Sequence, residues 1–151
     1  MKKLYYIIAI LIIAIIGIVF WLVDPHSLWT PPAGQTDDTL IRITYPRPGE
    51  TVVSPITLTG EARGNWYFEA SFPIVIVDWD GRIIGQGHAE AQSDWMTTEY
   101  VPFRATLTFV RLEINDANML YATRGAIIFK NDNPSGDPAK DKAVEVPVVF
   151  K

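Results

Sequence analysis

The sequence contains no cysteine, and this absence limits both its stability and its chemistry. The chain can form no disulfide, and it has neither a thiol nucleophile nor the residue that lipoprotein processing modifies. Histidine is scarce as well, since the sequence has two, His26 and His88. Catalytic triads that use an imidazole base therefore have few residues to draw on.

The sequence also lacks a basic cluster. From Thr39 onward it has 14 acidic and 11 basic residues, and the basic residues are scattered singly. A protein that binds nucleic acid needs a basic patch or stripe to neutralise phosphates. We therefore expect no nucleic-acid partner.

No charged residue occurs in the 20-residue run from Leu4 to Val23. As a helix that rises about 1.5 Å per residue, such a run spans the roughly 30 Å hydrocarbon core of a bilayer. The run is longer than the apolar region of a cleaved signal peptide, and no small-x-small site ends it. It also lacks the processing site and the glutamate of type IV pilin-like subunits. These features predict a transmembrane helix over residues 4–23.

The charges beside this run predict its orientation. Two lysines precede it and an aspartate follows it, so the positive-inside rule places residues 1–3 in the cytoplasm. Residues 24–38 contain three prolines and no hydrophobic period, which indicates a stalk that reaches roughly 45 Å at most. We expect a single-pass cell-membrane protein whose C-terminal domain, residues 39–151, is extracytoplasmic.

From Thr39 onward the hydrophobic period changes to two, which is the period of a half-buried β-strand. Seven segments have strand character, with turn residues between them. They are Leu40–Tyr45, Ile56–Ala62, Trp66–Trp79, Arg82–Ala91, Val101–Phe109, Gly125–Lys130 and Ala143–Phe150. Short strands without a helix predict an all-β domain, an antiparallel immunoglobulin-like β-sandwich of about seven strands.

Two residues of the third segment predict local features. Pro73 cannot donate to a β-ladder, so it implies a bulge or an edge position. Glu69 lies among apolar residues. If its side chain points inward, the charge needs a partner, for which Arg104 is preferred; if it points outward, Glu69 is an ordinary surface acid.

A series of short motifs runs through the predicted strands in a fixed order. The first half has Pro46-x-Pro48-Gly49, Ser54-Pro55, Gly60-x-Ala62 and Trp66-x-Phe68-Glu69-Ala70. The second half has Asp80-Gly81, Trp95, Pro102-Phe103, Asn133-Pro134-Ser135-Gly136 and Val146-Pro147-Val148-Val149-Phe150. Over about Leu40 to Phe150, this series resembles the bacterial immunoglobulin-like domain that is associated with the GerMN domains of spore germination.

The resemblance implies an extracytoplasmic, non-catalytic module that is carried on envelope or spore-associated proteins and binds other components. Two features depart from the family pattern. No GerMN domain accompanies the series, and Asp137 stands where the family usually has an apolar residue. The first departure weakens the expectation of a spore role.

The residues that could be catalytic have simpler structural interpretations. His88 lies in an alternating strand segment, where a half-exposed position is a simpler account than a triad. Asp78 and Asp80 share one face of a strand, as the paired carboxylates of a glycoside hydrolase could. Asp80-Gly81 between two strands is, however, typical of a two-residue hairpin turn. We expect no enzyme and no cofactor.

Aromatic residues are the candidate partner contacts, and the residues singled out are Trp95, Trp79 and Tyr67. They could form a platform for a peptide or glycan, although a strand tryptophan in a sandwich is by default a core residue. Trp95 lies in a polar loop and is either exposed or closes the open end of the sandwich. We expect a partner that is a protein or cell-wall component of the envelope. The alternatives are a structural spacer or assembly subunit of an envelope complex, and a glycan hydrolase.

The stretch FKNDNPSGDPAKD, residues 129–141, concentrates side-chain oxygen. Compared with a helix-loop-helix calcium loop, Gly136 matches position 6, but Asn131 stands at position 1 and Lys142 at position 12, where a glutamate is needed. Asn-Pro and Asp-Pro pairs are typical of turns. We expect a strand connection without a metal. The alternative is an irregular calcium site that uses Asp132, Asp137 and Asp141.

Overall fold

The computed structural model describes residues 40–110 and 120–151, in which eight β-strands form. This confirms the all-β prediction. The predicted membrane helix, Leu4–Val23, and the predicted stalk, residues 24–38, lie outside the described residues. Within the described ranges, no helix has the length and apolar character needed to cross a bilayer.

The strands form where apolar residues alternate along the chain. They are β1 (Ile41–Tyr45), β2 (Thr51–Val52), β3 (Ile56–Arg63), β4 (Ser71–Asp78), β5 (Ile83–Ala91), β6 (Tyr100–Leu107), β7 (Arg124–Lys130) and β8 (Ala143–Phe150). Short 3₁₀ helices occur at Gly64–Trp66, Leu120–Thr123 and Pro138–Lys140. Seven strands fall in the seven predicted segments. The eighth, β2, was not predicted because two residues carry no alternation.

The strands pair in the order β1-β3-β6-β5-β4-β7-β8-β2. All neighbours are antiparallel except β2 and β8, which are parallel. β1 and β2 stand at opposite ends of this order, yet only residues 46–50 connect them. Because so short a connection spans roughly 20 Å at most, the two edges of the sheet lie near each other. The sheet therefore curls into two facing layers.

Aromatic side chains join the two layers in the core. One layer contains β1, β3 and β6, the other contains β4, β7, β8 and β2, and β5 links them. The ring centroid of Phe103 in β6 lies 5.0 Å from that of Phe72 in β4 and 5.9 Å from that of Phe129 in β7. All three rings are buried. The architecture is that of an immunoglobulin-like sandwich held without a disulfide.

The third predicted segment is not one strand. Glu69 and Ala70 have φ angles of 49° and 62°, and β4 begins only after them. The N–H groups of Phe68 and Ser71 each donate to the other residue's carbonyl, at 2.9 and 3.0 Å. Positive φ at both central residues makes this a tight hairpin turn of the I′ class. Glu69 is exposed on the turn, so the predicted buried pair with Arg104 is wrong.

Pro73 fits into β4 without a bulge. It pairs with His88 of β5, whereas the ladder to β7 begins one residue later, at Ile74. The bulge of β4 lies further along, between Ile76 and Val77. Of the two predicted alternatives, a bulge or an edge position, the bulge is not found at Pro73, and the edge position is found on the β7 side.

The turn between β4 and β5 is one residue longer than predicted. The Gly81 N–H donates to the Asp78 carbonyl at 3.0 Å, and the Asp78 N–H donates to the Arg82 carbonyl at 2.9 Å. Gly81 has a φ of 76°, which is the left-handed position that follows the turn in a three-residue hairpin loop. Trp79 and Asp80 occupy the two turn positions before it.

Candidate binding cleft

A cleft of about 460 Å³ opens at the end of the domain where β1 begins. One wall is the segment 65–68, which follows β3. The other wall belongs to the connection between β7 and β8, residues 131–142. Leu40, the residue before β1, also lines the cleft. Two connections that are far apart in the sequence thus meet at the end where the chain enters the domain.

Hydrogen bonds within the β7–β8 connection fix its shape. Asn131 Nδ2 donates to the Lys140 carbonyl at 3.1 Å, and Asn131 Oδ1 accepts from the Lys142 N–H at 2.6 Å. Asn133 Nδ2 donates to Asp141 Oδ1 at 2.7 Å. Most amide and carboxylate groups of this connection therefore hold the connection itself.

The opposite wall is anchored in the core. Trp66 is 1% exposed, and its ring meets Phe72 edge to face at 6.3 Å. The Tyr67 hydroxyl donates to the Val101 carbonyl at 2.7 Å, and burial raises the pKa of this tyrosine. The Asp132 N–H donates to the Trp66 carbonyl at 3.0 Å. This last bond joins the two walls directly.

Four polar groups on residues that line the cleft have no partner among the described residues. They are the Asn65 amide, the Trp66 indole N–H, the Asp132 carboxylate and the Lys142 ammonium. The indole N–H is buried, and a buried donor without an acceptor costs about 1–3 kcal/mol. Phe68 adds a side chain that is 40% exposed. Convergent polar groups beside an apolar surface are typical of a ligand-binding site.

The three aromatic residues predicted as partner contacts do not lie together. Tyr67 borders the cleft but is 4% exposed, so it is a core residue with little surface for a partner. Trp95 is partly buried against the core, as its alternative role at the end of the sandwich requires. Trp79 is 46% exposed in the β4–β5 turn, at the opposite end of the domain from the cleft.

The acidic side chains of residues 131–142 form no metal-binding cluster. Across residues 40–110 and 120–151, no cluster of three or more acidic, histidine or cysteine side chains could hold a metal ion. Asp137 Oδ1 accepts from the Ala139 N–H at 3.1 Å, and Asp141 accepts from Asn133. Two of the three carboxylates proposed for calcium thus stabilise turns.

The residues considered for catalysis either stabilise the β4–β5 turn or lie exposed on a strand. Asp78 Oδ1 accepts from the N–H groups of Asp80 and Arg82, each at 2.9 Å. Asp80 Oδ2 pairs with Arg82 Nη2 at 2.8 Å. His88 is exposed on β5 opposite Pro73. None of these side chains lines the cleft.

Few of the residues that line the cleft can be predicted from the sequence. The alternation of apolar residues predicts a strand at Phe68, and Asp132 and Lys142 enter only the predictions about calcium. The one available signal is the Gly64-Asn65 pair, a turn dipeptide immediately before Trp66. It marks the end of β3 and the start of the segment 65–68 that forms one wall.

One family model matches the chain, and its description is the immunoglobulin-like domain of bacterial spore germination. The match covers residues 40–124, which include β1 to β6, while the β7–β8 connection lies beyond it. Comparisons with curated proteins and with solved structures give no match. Because the matched range is more than half of the chain, this protein belongs to that family of bacterial immunoglobulin-like domains.

Proposed function

We propose that this protein is a single-pass protein of the bacterial cell membrane whose extracytoplasmic domain binds a protein or cell-wall component of the envelope at the cleft. In this proposal residues 1–3 are cytoplasmic, Leu4–Val23 cross the membrane and residues 24–38 form the stalk. The domain catalyses no reaction and requires no cofactor.

The main support for the proposed binding role is the set of unpaired polar groups at the cleft. The β7–β8 connection uses most of its polar side chains for internal hydrogen bonds, and Asp132 and Lys142 are left without a partner among the described residues. Because the backbone of the connection is already fixed, a ligand that binds there orders less of the chain and loses less entropy. The carboxylates and the histidine considered for catalysis lie outside the cleft, which favours binding over chemistry there.

Site-specific photo-crosslinking in intact bacterial cells tests the binding role. A photoreactive phenylalanine analogue at Phe68 would sit on the cleft, and the same analogue at Val53, which is 55% exposed, is a control at the opposite end of the domain. We expect defined crosslinked products from position 68 and none of comparable yield from position 53. Equal yields at both positions would favour the structural spacer.

A reporter fusion tests the membrane topology. The positive-inside rule predicts that an enzyme active only outside the cytoplasm works when fused after Lys151. Deleting residues 4–23 should release the protein from the membrane fraction. Activity of a cytoplasm-specific reporter at the same position would contradict the proposed orientation.

A further inference from the structure

We infer that two copies of this chain pack face to face through the outer surface of the layer that contains β4, β7 and β8. This surface, which we call the outer apolar face, consists of aliphatic and proline side chains on neighbouring strands. They are Pro73, Val75 and Val77 of β4, Ala126 and Ile128 of β7, Pro147 and Val149 of β8, and Ile83 of β5. The inference goes beyond the proposed function, because none of these residues lines the cleft.

The pairing of the strands makes the outer apolar face continuous. Val75 lies opposite Ile128 and Val77 lies opposite Ala126 in the β4–β7 ladder, and Ala126 lies opposite Pro147 in the β7–β8 ladder. Along the three strands these residues alternate with side chains that are buried in the core, so their own side chains point outward. All members of the face except Ala126 are partly or largely exposed.

The other layer of the sandwich has a different outer surface. Its outward positions on β3 and β6 are mostly polar. They include Thr57, Thr59, Glu61, Arg104 and Thr106. A sheet face in water usually has this polar character, whereas strands that are covered on both faces have near-continuous apolar runs. Residues 72–77 (FPIVIV) and 126–129 (AIIF) are such runs, so the outer apolar face has the composition of a covered surface.

The chemistry of this face favours a protein surface as its partner. β5, β4, β7 and β8 pair side by side, so the ladders use the backbone groups between them and the face presents aliphatic groups. A glycan or an extended peptide would find no donor or acceptor at its centre, whereas two apolar sheet faces pack through side chains alone. The strands run between the cleft end and the β4–β5 turn. In the proposed topology the face therefore points sideways, away from the bilayer.

A second copy of the chain fits both the symmetry and the proposed anchor. A two-fold axis parallel to the strands brings the same face of both copies together and keeps both N-terminal ends on one side, as anchoring in one membrane requires. With the axis between β4 and β7, β5 of one copy lies over β8 of the other. Gln86 and Glu145 stand at the same level of the sheet, so the amide of one copy can donate to the carboxylate of the other. Only this choice of orientation rests on the proposed anchor.

The size of the face agrees with a weak dimer that the membrane supports. Four strands about 4.8 Å apart and about seven residues of roughly 3.3 Å each outline a face of about 20 by 20 Å. Specific interfaces begin at about 600 Å² per partner, so this face and its rim lie near the lower limit. Anchoring in one membrane raises the effective concentration of the two copies, which lets a small interface form.

Cysteine crosslinking of the full chain in isolated membranes tests the inference. The chain has no cysteine, so each variant carries a single reactive site. Val75→Cys and Ile128→Cys place it on the outer apolar face, and Thr59→Cys, on the outward side of β3, is the matched control. With a short bis-maleimide that crosses membranes, we expect a product of twice the chain's mass from positions 75 and 128 and a far lower yield from position 59.

A charge on the face provides a second measurement. Ile128→Lys should weaken self-association of the purified chain in detergent micelles more than about tenfold, because the interface would bury an unpaired charge. Thr59→Lys introduces the same charge on the polar layer and should leave self-association unchanged. Light scattering during size-exclusion chromatography over a dilution series measures both.

Equal yields from positions 59, 75 and 128 overturn the inference, since contact through the predicted membrane helices alone would select no face. No product from positions 75 and 128, or equal self-association of the two lysine variants, also overturns it. A product of another mass identifies a different protein on the face and refutes the second copy. Because the reagent reaches both sides of the membrane, a failed topology assay with crosslinking at position 75 refutes the anchor and leaves the dimer.

Discussion

Replacing Ala70 by glycine should stabilise the domain, although glycine usually weakens a fold. Ala70 has a φ of 62° in the turn before β4, and a left-handed backbone costs a residue with a Cβ about 1–2 kcal/mol. Glycine avoids this cost but adds entropy to the unfolded chain, which lowers stability by about 0.4–1 kcal/mol. The difference is a gain of about 0.5–1 kcal/mol in the free energy of unfolding.

Urea titration and thermal melting of the full chain measure this gain. For a domain of this size, 1 kcal/mol corresponds to about 4–8 °C in Tm, so a rise of roughly 3–6 °C is expected. Ala143→Gly is the matched control, because Ala143 is an exposed strand residue without a positive φ. It should lose about 0.5–1 kcal/mol. Ala70→Val should also lose stability, since a β-branched residue resists the left-handed region.

The decisive result is that the two glycine variants change the free energy of unfolding in opposite directions. If Ala70→Gly and Ala143→Gly lower the free energy of unfolding equally, the backbone at position 70 is not left-handed in solution. The hairpin turn that follows one wall of the cleft would then be refuted together with the stability argument.

Three further predictions concern a close contact, a buried hydroxyl and the oxygen-rich connection. Gly60→Ala should destabilise the domain by about 1–3 kcal/mol in a urea titration, because a Cβ there would lie 2.8 Å from the Phe103 ring. Tyr67→Phe should cost about 1–2 kcal/mol at neutral pH, because the Val101 carbonyl loses its donor. The folded-state pKa of Tyr67 is raised above an unfolded value of about 10, so its contribution is complete below pH 10 and is lost as the pH rises towards the folded pKa. Stability measured against pH should therefore fall less steeply above pH 10 in Tyr67→Phe than in the parent, and equal slopes would contradict this. Millimolar calcium or a chelator should leave Tm unchanged, whereas a calcium-dependent rise of several degrees would reveal ligand stabilisation at residues 131–141.

The alternation of apolar residues was enough to predict seven strands, because a half-buried strand must place every second side chain in the core. β8 illustrates this, since Val144, Val146, Val148 and Phe150 are all buried. β2 could not be predicted in this way. It has two residues and forms only because its neighbour β8 supplies a parallel edge, which is a long-range contact that local sequence does not encode.

The turn before β4 was missed for a different reason. Positive φ is usually signalled by glycine or asparagine, but here it falls on Glu69 and Ala70. The local residues therefore favour continuation of the strand, while pairing of the flanking residues imposes the turn. The cleft was missed with it, because one of its walls is the segment 65–68 that leads into this turn and the other comes from a connection more than sixty residues further along the chain.

The role of the oxygen-rich connection between β7 and β8 depends on which of its polar groups already have hydrogen-bond partners. Asn131, Asn133 and Asp141 bind one another or the backbone of the connection, so their chemistry is that of a turn, as the Asn-Pro and Asp-Pro pairs indicate. Asp132 and Lys142 come from the same stretch but lie on the cleft without a partner among the described residues. The neighbouring hydrogen bonds fix the backbone that carries both residues, so the connection has a defined shape where it lines the cleft. A stretch that composition alone would assign either to a metal or to a turn thus forms a turn that is also one wall of the cleft.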